Sequence, residues 1–535
     1  MSQRKFSYTI FLTAVFLSMG YGLFVVFLDF TEFPKYLPDD AFYYLQIAQT
    51  YAEQGIYSFD NGFSFNTGFH LLWFYILVGL SKLSIGDPAQ LLTLATACSW
   101  IISFSTLSMV AFYCYRRFPE TLIALALMIS GYGFINNQIS AMEWPFCIAI
   151  STLIYLAFIN DKLNQNILVF LILGILGSLA RTDFGGVAVA FLVAAYIVQL
   201  KLKDKVAIKP AWFLFFGALL GFLIVSYHNY YITGDWMSTS VRMKQNWANA
   251  SPINPLAPFL QFLRSPLYIL SLTGDGRVEL QQKIFASLLY ITPVVFIIFA
   301  TIIWYFRDKF KPTYLTAINS LSIHPKIFCL TLTSFFCLLG YLLLYSINIL
   351  GMQSWYSAHV FVPMTFLLMV LLNFLALNNI RTMMISIIIT IIIVINFTLF
   401  FSVPATYSFQ VKMRDSGLAV ADGVANKILP NYVGLSDAGI AGYYSGGHVV
   451  NLDGLVNQDI VNYFPNRLPC YYYDHNLEIA GGFGTTERIS NNIDWYLFAE
   501  NFHYQNNNGQ IVKLKKFNLS KINELYDCSK ENNLK

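Results

Sequence analysis

The sequence predicts a polytopic all-α membrane protein of about eleven transmembrane helices, followed by a small C-terminal α/β domain outside the cytoplasm. Three observations predict it. Of 535 residues, 56% are hydrophobic and 12% charged, where a soluble domain carries roughly a quarter charged residues. The apolar residues gather into long runs separated by short basic connectors. Past residue 402 the hydropathy collapses into a tail rich in Asn, Tyr, Asp and Gly. The same composition excludes a soluble globular protein, a disordered chain and a disulfide scaffold. A net charge of +4 gives no argument for a nucleic-acid partner.

The first run, Tyr8 to Phe30, is too long and too bulky at its end for a cleaved signal peptide. It reads as a span with Arg4 and Lys5 held in the cytoplasm. Further spans are expected at 89–115, 119–135, 144–160, 167–180, 184–200, 211–232, 285–306, 327–350, 358–377 and 383–402. Basic residues cluster at Arg116 and Arg117, Lys162, Lys201 to Lys209, Arg307 to Lys326, and Arg381. Placing them inside leaves the N-terminus cytoplasmic and the C-terminal domain exterior. One stretch, Phe69 to Leu83, spoils that parity if it spans. Its Phe69, Trp73, Phe74 and Tyr75 suit an interfacial or re-entrant helix within a first exterior loop, 31–88. The membrane domain is therefore 1–402 and the exterior domain 403–535.

In the tail, Tyr432 to Ile440 and then His448 to Leu455 read as strand, turn, short helix, strand. Cys470 and Cys528 also lie there, and an exterior tail would allow them to pair. Cys98, Cys114, Cys147, Cys329 and Cys337 lie in or beside apolar runs, where a thiol is an ordinary packing residue.

The same topology gathers polar residues on one face. Asp39, Asp40, His70, Glu143, Arg181, Asp183, Arg242, Lys244, Trp355, Tyr356 and His359 all fall on the exterior side. The run 167–180 has 14 residues, which at 1.5 Å each reaches about 21 Å of a ~30 Å hydrocarbon core. Its turn, Arg181-Thr182-Asp183, is thus expected below the exterior surface, and submerged charges usually face a cavity and carry function. The plain alternative is an ion pair bracing a helix turn.

Asp39 and Asp40 open an amphipathic aromatic segment suited to a helix lying at the interface. Paired acids there cap a helix, and one of them can also act as general base for a hydroxyl acceptor. Arg242 and Lys244 stand just outside the seventh span, against the positive-inside tendency, where they can grip a lipid phosphate. Glu143 precedes Trp144-Pro145 at the start of a span, so it complements the helix dipole or orients a sugar. His70 reads as structural or as a partner for an acid. Trp355, Tyr356 and His359 form an aromatic belt or stack on a sugar ring. Asp437 caps a turn or touches substrate.

The run Asp39-Asp-Ala-Phe-Tyr-Tyr-Leu45, with Gly55 and Thr67-Gly-Phe-His-Leu-Leu-Trp73, resembles the first exterior loop of GT-C glycosyltransferases. These polytopic enzymes use lipid-phosphate-linked sugars and include protein O-mannosyltransferases and the lipid A aminoarabinose transferase. Ser140-Ala-Met-Glu-Trp-Pro145 is similar to a Gly-Met-Glu segment of bacterial members, and Leu179-Ala-Arg-Thr-Asp183 to an Arg-Pro-Asp/Glu segment. Tyr231-Ile-Thr-Gly-Asp-Trp236, Lys244, Ser436-Asp-Ala-Gly439 and Asn451-Leu-Asp-Gly-Leu455 extend the likeness over nearly the whole chain. Departures are Leu71 for Pro, Ala141 for Gly, Thr182 for Pro, Trp355-Tyr356 for an Arg-Tyr pair and Asn451 for an acid.

The resemblance implies a GT-C-like fold and an inverting transfer of a sugar from a polyprenyl-phosphate donor to an exterior lipid, glycan or protein. It makes Asp39 the base, with Asp40 second. Glu143 joins them as a catalytic residue, and Arg181, Arg242 and Lys244 bind the donor phosphate. His70, Asp183, Trp355, Tyr356, His359 and Asp437 line the substrate. Asp39 and Glu143 around Mg or Mn are the one metal option, but there is no compact metal motif and the reading leans to metal independence. Motif style favours a bacterial inner membrane. A lipid or solute transporter using the submerged charges is the alternative, although repeated halves and matched broken spans are missing from the sequence.

Overall fold

An apolar run in lipid must satisfy its backbone within itself, and helix is how a single segment does so. The computed structural model describes residues 3–117, 122–203, 207–250, 325–347, 358–375, 407–464, 467–481 and 497–528. Helix α1 (Gln3–Val26) is followed by α2 (Asp39–Gln54), α3 (Leu71–Leu83) and α4 (Pro88–Arg117). Next come α5 (Leu122–Ile129), α6 (Tyr132–Asn137), α7 (Trp144–Ile159), α8 (Asp161–Gln165) and α9 (Ile167–Ala180). Then follow α10 (Gly185–Leu202), α11 (Ile208–Thr233), α12 (Thr239–Ala250), α13 (Pro325–Ile347) and α14 (Ala358–Leu375). By length and composition, four segments among the described residues suffice to cross a membrane: Tyr8–Val26, Pro88–Tyr113, Thr182–Leu202 and Ile208–Thr233.

The remaining apolar helices are shorter, including α3, α7 and α9. The expected span 119–135 is not one helix: the chain breaks at Ser130–Gly131, where Gly131 is extended (φ −71°, ψ 143°) and caps α6. The expected spans 285–306 and 383–402 lie outside the described residues. Helix α3 has 13 residues and reaches about 20 Å.

Helices α9 and α11 pack through glycine. A Cβ on Gly217 would stand 2.2 Å from the Leu171 carbonyl oxygen, and one on Gly174 2.4 Å from that of Leu214. Small residues let the two backbones touch, which is how helices associate where lipid removes the hydrophobic drive.

The tail begins with α15 (Tyr407–Ala425) and builds a five-stranded sheet in the order β2-β1-β3-β5-β4. Strands β1 (Val433–Leu435), β2 (Val449–Asn451) and β3 (Ile479–Gly481) are parallel, with α16 (Gly439–Tyr444) and α17 (Leu468–Asp474) in their crossovers. Strands β4 (Ala499–Gln505) and β5 (Ile511–Phe517) add an antiparallel hairpin, and α18 (Leu519–Tyr526) closes the domain. Cys470 on α17 is disulfide-bonded to Cys528 just past α18, Cα to Cα 5.3 Å.

This domain rests on the first loop. Phe65 O accepts from Gln458 N (3.0 Å), Asn61 Nδ2 donates to Gly446 O (2.7 Å), and Arg414 Nη1 donates to Thr31 O (2.6 Å). Met243 and Trp247 of α12 enter the tail's own apolar core. Loop and tail therefore share one side of the helical body.

Candidate functional site

Helix α2 starts because Pro38 is extended and two acids occupy its first turn; it stops at Gly55, whose φ of 75° few other residues adopt. Residues four apart share a helix face, so Asp39 pairs with Tyr43 and Asp40 with Tyr44.

The Asp39–Tyr43 face meets the tail. The Asp39 carboxylate accepts the amides of Gly439 (3.2 Å) and Ile440 (2.7 Å) at the start of α16. A Cβ on Gly439 would fall 2.3 Å from the Asp39 carbonyl oxygen, so glycine permits this approach. The Tyr43 hydroxyl accepts from Ala438 N (2.8 Å) and Asn451 Nδ2 (3.1 Å), and donates to Asp453 Oδ2 (3.2 Å). Asp437 donates its amide to the same Asp453 oxygen (3.0 Å). Burial raises Asp39 well above the usual carboxylate range despite the Ile440 amide, with Asp40, Asp437 and Asp453 adding repulsion. Burial, then Asp437, pushes Asp453 up to about 6.

The Tyr44 side of α2 meets the helices that carry Glu143 and Arg181. Burial, then Glu143, raises the Tyr44 hydroxyl well above its ordinary range, with Arg181 opposing and Asp40 adding. Glu143 immediately precedes α7, whose Pro145 occupies the first turn. Its Oε1 receives Arg181 Nη1 at 2.7 Å and stands 3.7 Å from His70 Nε2. Arg181 ends α9, and its guanidinium also meets Asp183 two residues on, Nε to Oδ1 3.0 Å and Nη2 to Oδ2 3.2 Å. His359 at the start of α14 is buried 3.4 Å from Asp183 Oδ1 against the Phe184 ring. Among the described residues Glu143 Oε2 is buried with no close hydrogen-bond partner, and the Tyr44 hydroxyl is its neighbour. Burial holds His70 down to about 4, with Glu143 opposing and Arg181 and Lys244 within electrostatic reach, so the imidazole is neutral at pH 7.

His70, Glu143, Arg181, Asp183 and His359 are thus brought together, with Lys244 within electrostatic reach of His70 and Asp40 within reach of Tyr44. Asp39 and Asp437 meet at the tail instead. Arg242 is bound to Asp235 (Nη2 to Oδ2 2.7 Å); two positions from Lys244 on α12, it occupies a different face. Trp355 and Tyr356 lie outside the described residues. Among the described residues no group of three or more His, Cys, Asp or Glu side chains is arranged to hold a metal ion. Of the two acids offered for Mg or Mn, Asp39 is occupied by backbone amides and Glu143 Oε1 by Arg181.

Residues 407–527 match one family model. It is described as a domain of unknown function (DUF8728). The match begins at α15 and ends just past α18, so it covers the tail and none of the apolar helices before it. No curated protein and no solved structure matches the chain.

Sequence reasoning passed over Tyr43, Tyr44, Asp453 and Tyr341, whose hydroxyl donates to Asp183 O (3.3 Å). The first two were readable, since each lies four residues beyond a singled-out acid. Ala141 is informative too: its φ of 51° is left-handed, the conformation that the Gly of the resembling segment adopts freely. Trp73 Nε1 donates to its carbonyl (2.8 Å), tying α3 to the segment that carries Glu143.

Proposed function

We propose that the chain is an integral-membrane glycosyltransferase of GT-C type. It moves a sugar from a polyprenyl-phosphate donor to an acceptor outside the cytoplasm of a bacterium, with inversion at the anomeric carbon. A carboxylate of the Asp39–Asp40 pair takes the acceptor proton, and Lys244 neutralises the departing phosphate. Such a donor already carries a good leaving group, so one base and one or two cations meet the chemical need.

One observation carries the reading. Glu143, Arg181 and Asp183, with His70 and His359 beside them, form one polar seam drawn from distant stretches, and Tyr44 of α2 and Lys244 of α12 lie within electrostatic reach of it. Burying charge is expensive, and membrane proteins that do so generally use it. The disulfide adds support for an exterior tail, because such bonds persist in oxidising compartments. The transporter alternative gains no specific observation.

Purified protein incubated with a panel of radiolabelled prenyl-phosphate sugars tests the reading. One donor should be consumed with release of prenyl phosphate and retention of its label on an acceptor. Recovery of every donor intact, with membrane extract supplied as acceptor, refutes it.

A further inference from the structure

We infer that the paired acids of α2 have separate tasks: Asp39 is a positioning residue that latches the tail domain to the first loop, and Asp40 is the carboxylate that meets the acceptor. The Asp40 half rests on the transferase reading; the latch does not.

The latch follows from geometry. Both Asp39 oxygens are engaged by the Gly439 and Ile440 amides, which commits this carboxylate to the tail side of α2. One turn later Tyr43 joins three tail groups, Ala438 N, Asn451 Nδ2 and Asp453 Oδ2. A backbone approach that excludes even a methyl group at position 439 makes the contact a fitted one. The tail domain accordingly sets the axis of α2.

Asp40 is about 100° further round that helix, on the side where Tyr44 faces Glu143 and Arg181. In the step assigned to it, the acceptor hydroxyl oxygen bonds to the anomeric carbon while its proton passes to Asp40. The bond between anomeric carbon and phosphate oxygen breaks, and its electron pair leaves on prenyl phosphate beside Lys244.

Hydrogen exchange of segment 436–444, with transfer kinetics against pH, on the full chain in nanodiscs tests both halves. Asp39→Asn and Tyr43→Phe should speed exchange of the α16 amides roughly five- to thirtyfold, lower kcat more than they raise KM, and keep the acid limb of the pH profile where it was. Asp40→Asn should leave that exchange at the wild-type rate and abolish transfer, and Asp40→Glu should restore part of it. Unaltered exchange in both Asp39→Asn and Tyr43→Phe overturns the latch. An Asp40→Asn enzyme with wild-type turnover overturns the assignment of the base. If the wild-type protein transfers no sugar, the transferase reading falls with the Asp40 half, and the exchange rates still judge the latch.

Discussion

Arg181 donates to Glu143 across 2.7 Å, with both side chains almost wholly removed from solvent, and holds Asp183 at 3.0 Å with the same guanidinium. One cation thus neutralises a buried acid and a partly buried one. Removing it should be far worse than removing either acid.

Arg181→Met strips Glu143 and Asp183 of their shared cation and leaves His70 and His359 beside them, and breaking a buried pair in this way typically costs about 3–5 kcal/mol. Glu143→Gln leaves Arg181 and Asp183 matched one to one and should cost roughly 1–2 kcal/mol. Thermal unfolding in detergent measures the order. Equal midpoints for the two variants would show that the pair is solvated and the seam open to water.

The fold was legible where physics is local. The helix ending at Ala180 and the Arg181–Asp183 turn after it follow from counting apolar residues, and the first strands of the tail from its strand and turn pattern. The break at Ser130–Gly131 was hidden inside an apolar stretch, because hydropathy measures what a segment dissolves in and not whether its backbone is continuous. At the site, the residue types were readable and their grouping was not. Asp39 and Asp40 are neighbours in sequence, yet a helix turns 100° per residue and sends them to different walls. Asp453 is legible only as part of the Asn451–Leu455 motif, because its role depends on a docking surface formed with a loop 410 residues away.

Lys244 is the cation that the site adds beyond Arg181. Lys244→Ala should weaken binding of a prenyl phosphate by roughly ten- to a hundredfold, the worth of about 1.5–3 kcal/mol for a hydrogen bond to a charged group. Arg242→Ala should have the smaller effect, since its guanidinium is engaged by Asp235. Competition against a fluorescent prenyl phosphate gives both constants. The reverse ranking would transfer the phosphate to Arg242.

The contact between loop and tail should depend on pH. Asp39 and Tyr43 face it from α2, with Asp437 and Asp453 opposite and Asp40 close enough to add repulsion. Asp453 is raised from 3.8 to about 6 and Asp39 in the same direction, so the docked state keeps protons that the separated state releases. Docking is then strongest below about pH 4 and weakens as pH rises through about 6. Exchange of the α16 amides, corrected for its intrinsic pH dependence, should show protection falling over that window. Protection that rises instead would reverse the sign.

Reducing the bond between Cys470 and Cys528, which are 58 residues apart, should destabilise the tail by about 2–4 kcal/mol. Limited proteolysis with and without reductant, read within residues 407–528, tests it. An unchanged cleavage rate would mean that the sheet holds α18 without the bridge.

The most direct test of the central claim is photolabelling with a diazirine-bearing polyprenyl phosphate, followed by mapping of the labelled peptides. Label displaced by unlabelled prenyl phosphate should fall on the segments bearing His70, Glu143, Arg181 and Lys244. Displaceable label confined to the outward faces of α1 and α4, with none on those four segments, would contradict it.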